Sequence, residues 1–134
     1  MRRVFADSLY WTAISHQGDQ WHAAALDASR AFRGAEIVTT QEMLSEFLTA
    51  FRYTPQLRSI AARRIHQITT DQQIIVIPQS DTSFQAGFAL YLARPDKKYS
   101  QPDCISMATM RQDGIAEILT HNSHFAQEGF TVLL

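Results

Sequence analysis

The chain has few of the residues that staple, loop or anchor a protein. Its one cysteine, Cys104, excludes an intrachain disulfide framework and fits a reducing compartment. Five glycines and four prolines in 134 residues leave no low-complexity tract and no linker. No glycine-rich phosphate loop and no G-x-S-x-G elbow occurs, which removes two common routes to phosphate binding and acyl transfer. Nothing approaches the ~18 consecutive apolar residues of a membrane span. Arg2 and Arg3 before Val4 and Phe5 resemble the start of a signal peptide, but Asp7 interrupts the apolar run and no small-residue cleavage site follows. A soluble, cytoplasmic protein with no membrane partner is expected. Charge of one sign is lacking too. Twelve basic and 13 acidic residues leave a net charge of −1, so there is no global electrostatic signature of a nucleic-acid binder.

A chain of this length makes one domain the default and buries roughly two thirds of its unfolded surface without a staple. The charge that is present is unevenly spread. From Phe47 to Thr70 there is no acid, while Arg52, Arg58, Arg63 and Arg64 all fall there. Such a basic segment suits a phosphate backbone or is simply a solvated, arginine-rich helix face.

Periodicity predicts strands alternating with helices. Residues 3–7 read as a buried strand ending on Asp7, followed by a short aromatic helix over 8–15. Asp19 is a fitting N-cap for a helix with Trp21, Ala25, Ala28 and Phe32 on one face, ended by Gly34. A second strand over 36–39 leads into a helix to about Tyr53, with Leu44, Phe47, Leu48 and Phe51 as its apolar stripe. Thr54-Pro55 breaks the chain before a helix to about Ile68. The apolar run Ile74–Ile77 suits a parallel strand covered on both faces. Thr82 and Gln85 form a capping box for a helix with Phe84, Phe88, Tyr91 and Leu92 inward. A helix over about 101–113, strands over 115–120 and 130–133, and a helical turn between them complete the chain. The order implies an α/β fold with a mainly parallel sheet between helix layers.

Four residues lie where a strand gives way to a helix or where a helix starts: Asp7, Glu46, Asp103 and Asn122. Separated acids that meet at the carboxyl edge of a parallel sheet suit a hard divalent cation, which takes oxygen ligands. Each also has a purely local explanation. Asp7 can cap the helix after it. Glu46 shares a helix face with Glu42, and spacing does not choose between them. Asp103 stands three residues after Ser100 in a helix-start pattern. Asn122 fits the N-cap of the last helical turn, the favoured reading from the residues alone. His121 and His124 are three apart with no accompanying zincin glutamate and no third ligand. Cys104 has no evident partner.

The ordered segments Val4-Phe5-Ala6-Asp7, Val38-Thr39-Thr40-Gln41-Glu42-Met43-Leu44-Ser45-Glu46, Tyr99-Ser100-Gln101-Pro102-Asp103-Cys104 and Leu119-Thr120-His121-Asn122-Ser123-His124-Phe125 resemble a PIN domain, and within that family the VapC-type toxins of prokaryotic toxin–antitoxin pairs. Asp19-Gln20-Trp21-His22 and Asp96-Lys97 agree. The resemblance covers essentially residues 1–134 as one PIN-like domain. It implies a Rossmann-like α/β/α sandwich and Mg²⁺- or Mn²⁺-dependent cleavage of RNA by metal-activated water. It implies that Asp7, Glu46 and Asp103 hold the metal, and it selects Glu46 over Glu42. The family's fourth acid, in Thr-x-Asp-x-His-Phe, is here Asn122, which keeps an oxygen donor and loses a charge. The resemblance further implies a homodimer and a cognate antitoxin that occupies the active-site groove, with Arg52, Arg58, Arg63 and Arg64 as candidate RNA-backbone contacts. The alternative is a catalytically weakened PIN-like module that binds RNA or a protein without cutting.

Overall fold

A computed structural model describes residues 2–134. A single five-stranded sheet runs in the order β3-β2-β1-β4-β5, and every pairing is parallel. The elements are β1 (Arg3–Ala6), α1 (Ser8–Ser15), α2 (His22–Ala31), β2 (Glu36–Thr40), α3 (Gln41–Ala50), α4 (Pro55–Thr70), β3 (Ile74–Ile77), α5 (Asp81–Ala93), α6 (Gln101–Gln112), β4 (Glu117–Leu119), α7 (Ser123–Gln127) and β5 (Thr131–Val132). The expected alternation and the α/β/α sandwich are both present.

The two-residue period of β1 sorts its side chains between two cores. Val4 and Ala6 face a cluster with Trp11, Ala25, Phe47 and Ile68, from α1 to α4. Phe5 faces the other way, against Cys104, Met107 and Met110 of α6 and Phe125 of α7. The chain builds outward from β1 through β2 to β3, then returns to lay β4 on the other side of β1. This reversal opens a crevice beyond the carboxyl ends of β1 and β4, where ligands bind in open α/β sheets.

Four local expectations are corrected. The run Ile74–Ile77 is an edge strand, with Ile75 exposed, so its apolar character does not come from burial on both faces. Asp19 caps no helix; its carboxylate accepts from the Trp21 amide at 2.8 Å in a turn, and α2 begins at His22. Ser80, not Thr82, caps α5, accepting from Ser83 N–H at 3.0 Å. The apolar face of α5 also points outward. Phe84, Phe88, Tyr91 and Leu92 are 40–62% exposed, because α5 meets α6 through Gly87. A Cβ at Gly87 would stand 2.5 Å from Ile105 Cγ1 and 2.8 Å from Ile105 N. Only glycine permits that approach, and it fixes which face of α5 turns inward.

Candidate active site

β1 ends by handing Asp7 to the crevice. The Asp7 amide continues the ladder onto Leu119 O at 3.2 Å, and its carboxylate, 2% exposed, accepts from Thr120 Oγ1 at 2.6 Å. Asp7 occupies the N-cap position of α1 but makes no cap hydrogen bond with its side chain. The Ser8 and Leu9 amides still favour its ionised form, so the pull of the helix start remains, but no cap bond accounts for where this carboxylate is held. Thr120 had no role in the sequence reading. Its place just after β4, opposite the end of β1, follows from a parallel pairing that no short-range pattern reveals.

Glu46 arrives from the neighbouring strand. Thr39 at the end of β2 is fully buried; its hydroxyl donates to Ala6 O at 2.9 Å and accepts from Trp11 Nε1 at 3.2 Å, tying β2, β1 and α1 together. Thr40 then caps α3, accepting from Met43 N–H at 3.2 Å. With the start of α3 held this way, Glu46 falls in its second turn, near Asp7 and Asp103. Its Oε1 is buried without a hydrogen-bond partner.

Asp103 lies in the first turn of α6. Ser100 provides the cap, accepting from the Asp103 amide at 3.1 Å, so the carboxylate is left for other work. It is 8% exposed, and His124 Nδ1 stands 3.7 Å from its Oδ2. Asn122 follows β4. Its amide donates to Thr120 Oγ1 at 3.1 Å, and its Oδ1 accepts from His124 N–H at 3.0 Å, capping α7. Asn122 therefore joins the site through Thr120, and its oxygen is engaged by a helix.

The electrostatics are those of acids held close together without cations. Burial pushes the Asp7 carboxyl up to about 6; the Thr120 bond opposes this, Asp103 adds to it, and the amides of Ser8 and Leu9 oppose it. Burial followed by Asp7 and Asp103 pushes Glu46 up to about 7, partly offset by the Ser8 hydroxyl. Among the described residues no lysine or arginine bridges Asp7, Glu46 or Asp103. Nor do three aspartate, glutamate, histidine or cysteine side chains there close into a ready-made metal cage. An orphaned buried carboxylate oxygen among mutually repelling acids fits a hard cation that keeps several waters and takes only part of its shell from protein.

The other candidates separate. The His121 ring stacks on Trp21 at 4.5 Å, while His124 lies against Asp103 and Tyr99, so the two histidines do not converge. Cys104 is buried, and burial pushes its thiol up, the opposite of an activated nucleophile. Arg52 lines an open cleft with Glu42, Ser45, Glu46, Thr49, Tyr53 and Pro102, and Arg58 donates to Arg52 O at 3.2 Å. Arg63 and Arg64 line a separate hollow with Ser15. Arg64 is spent there on Ser15 Oγ at 2.9 Å and Gln67 Oε1 at 3.2 Å.

No family model matches the chain. It is 24% identical over 128 residues to the 23S rRNA-specific endonuclease VapC20 of Mycobacterium tuberculosis, with 95% of each protein covered, and the same holds for that protein from a second strain. The crystal structure of M. tuberculosis VapC20, described as a Sarcin-Ricin loop cleaving toxin, superposes with a TM-score of 0.84 at 21% identity, covering 96% of each chain.

Proposed function

We infer that this chain, a relative of the VapC-type toxins of the PIN-domain family, is a metal-dependent endoribonuclease. The observation that carries the reading is the meeting of Asp7, Glu46 and Asp103, from three separate elements, with no lysine or arginine bridging them among the described residues. These three would hold Mg²⁺ or Mn²⁺. When bound, such an ion lowers the pKa of water and neutralises charge developing on a phosphoryl oxygen. The chain's own share is to hold the carboxylates in place. Thr120 fixes Asp7 by a charge-assisted bond, the Thr40 cap sets where Glu46 falls, and Ser100 frees Asp103. Asn122 orders the turn between Thr120 and α7 and brings an uncharged oxygen to the rim. Arg58, which donates to Arg52 O, is the arginine left beside the cleft to meet an RNA backbone, since Arg52 is engaged by Thr49 O and Tyr53; Arg63 and Arg64 sit apart from it.

VapC20's cleavage of the Sarcin-Ricin loop of 23S rRNA makes ribosomal RNA the first substrate to test here. As a toxin the protein would act in the cytoplasm, restrained by a cognate antitoxin laid over the active-site cleft. Among the described residues no helix is long and apolar enough to cross a membrane. A homodimer through α5 is supported by that helix's outer face. Phe84, Phe88 and Tyr91 form an exposed row of near-parallel rings in a stretch without charge from Thr82 to Ala93. Asp81 stands at one end, Lys97 and Lys98 beyond the other. Two copies packed antiparallel about a two-fold axis cover the rings and pair these opposite charges.

The test is cleavage of rRNA by purified protein with Mg²⁺ or Mn²⁺, with and without chelator, beside Asp7→Asn. Cleavage should need the metal and fall at least about 100-fold in the variant, since even indirect supports of a metal site cost 10–100-fold. Cleavage that survives either change refutes the reading.

A further inference from the structure

We propose that Tyr53, held by Arg52 at the far end of the cleft from the acids, is a stacking platform for a nucleobase of the RNA, one that binds the strand beside the scissile phosphate. The inference rests on the ribonuclease reading of the acid cluster. Its observations lie outside that cluster.

Tyr53 is 71% exposed, so its ring serves the substrate side of the surface rather than the core. It is nonetheless fixed. The Arg52 guanidinium lies 4.2 Å from the ring centroid and donates to Tyr53 Oη at 2.6 Å. Its other nitrogen donates to Thr49 O at 2.6 Å, at the carboxyl end of α3, where the helix dipole favours a cation. Arg58 in turn donates to Arg52 O at 3.2 Å. An aromatic ring with one face backed by a guanidinium and held in place offers its other face to a flat ligand at little ordering cost.

The cleft between Glu46 and Tyr53 says which part of the RNA goes there. It is an open trough of about 650 Å³, with Glu42 and Glu46 on its α3 wall and Gln79 and Pro102 among its other lining residues. Pro102 is the neighbour of Asp103, so the trough is continuous with the acid site. A phosphate laid along two carboxylates is repelled. A neutral base, with hydrogen-bonding edges for Ser45 and Gln79 and a π-face for Tyr53, is not. Tyr53 comes seven positions after Glu46 and three beyond the end of α3, on the same trough, which places the ring near but not at the reacting bond. Stacking on aromatic side chains is how single-stranded RNA is commonly gripped, and each stacked base contributes about a 5- to 100-fold gain in affinity.

The experiment measures binding of a fluorescein-labelled single-stranded octaribonucleotide by anisotropy, in the Asp7→Asn background so that nothing is cut. The same oligomer with one abasic position is run beside it, against Tyr53→Ala, Tyr53→Phe and Tyr53→Trp. Tyr53→Ala should bind roughly 5- to 100-fold more weakly, while Tyr53→Phe and Tyr53→Trp stay within about threefold. The intact oligomer should lose its advantage over the abasic one only in Tyr53→Ala, a coupling that a general structural role would not produce. Equal binding by Tyr53→Ala, no binding of RNA by any form, or a change in sedimentation with RNA binding intact overturns the proposal; the last would make Tyr53 a protein contact. Cleavage with Asp7 restored is scored separately. Base-dependent binding through Tyr53 without cleavage leaves the platform standing and removes the nuclease reading.

Discussion

Asn122 shows how one residue can serve two sequence explanations. Its Oδ1 caps α7, as its position alone suggests, while its amide reaches Asp7 through Thr120, as the family order suggests. Aspartate is as good an N-cap as asparagine, so Asn122→Asp keeps the local bond and adds a negative charge at the rim of the acid cluster. The variant should cleave at least as fast as the parent and reach half-maximal rate at a lower Mg²⁺ concentration, read from a metal titration of the cleavage rate. A slower variant would show that the neutral side chain is required rather than tolerated. The acids themselves were legible as strand-end and helix-start residues; their freedom from capping was not. Asp7 and Asp103 both occupy positions where local rules predict a cap. In each case a hydroxyl from elsewhere in the sequence or fold, Thr120 or Ser100, decides the matter.

Helix α5 is where element-level reasoning failed, and the reason is physical. Its apolar period is real, but period tells only that a face is apolar, not whether a neighbour in the same chain covers it. Gly87 supplies the missing information, since it marks the face that approaches α6. Gly87→Ala should gain about 0.5–1 kcal/mol of helix propensity and lose roughly 1–3 kcal/mol by overpacking against the Ile105 backbone. The melting midpoint should therefore fall by several degrees, and a rise would refute the close approach. The opposite face makes a different prediction. Phe88→Asp places a charge in the exposed ring row without touching the core, so the fold should persist while the proposed dimer is lost, seen by sedimentation velocity. An unchanged sedimentation coefficient would remove α5 as the dimer surface. The ties at the far end of α5 were likewise hidden. Arg94, Tyr99 and Arg111 converge on the buried Glu128 carboxylate, across separations that no local pattern connects, and they hold it down at about 2.

At the scale of the molecule, alternation of strands and helices sufficed for the class of fold but not for the strand order, because pairing of β1 with β4 is long-range and leaves no short-range trace. That pairing opens the crevice and brings Asp7 to Thr120, so the fold itself forces acids together, at a cost that depends on pH. Asp7 and Glu46 have carboxyls raised, chiefly by burial, from 3.8 and 4.5 to about 6 and about 7. The folded chain thus keeps protons that the unfolded chain releases. Their contribution to stability is fully present below about pH 4 and is lost as pH rises through 6 to 7, roughly 3 kcal/mol for the buried Asp7 alone. Glu128, ionised in the fold throughout this range, does not mask the trend. Metal-free protein should consequently melt higher at pH 5 than at pH 8. A divalent cation competes with those protons, so Mg²⁺ should raise the midpoint strongly at pH 8 and little at pH 5. Asp7→Asn removes one buried charge, and should both raise the metal-free midpoint at pH 8 and blunt the response to Mg²⁺. Differential scanning fluorimetry at the two pH values, with and without the ion, reads all three effects. A Mg²⁺ shift of equal size at pH 5 and pH 8 would mean that the ion binds somewhere other than these carboxylates.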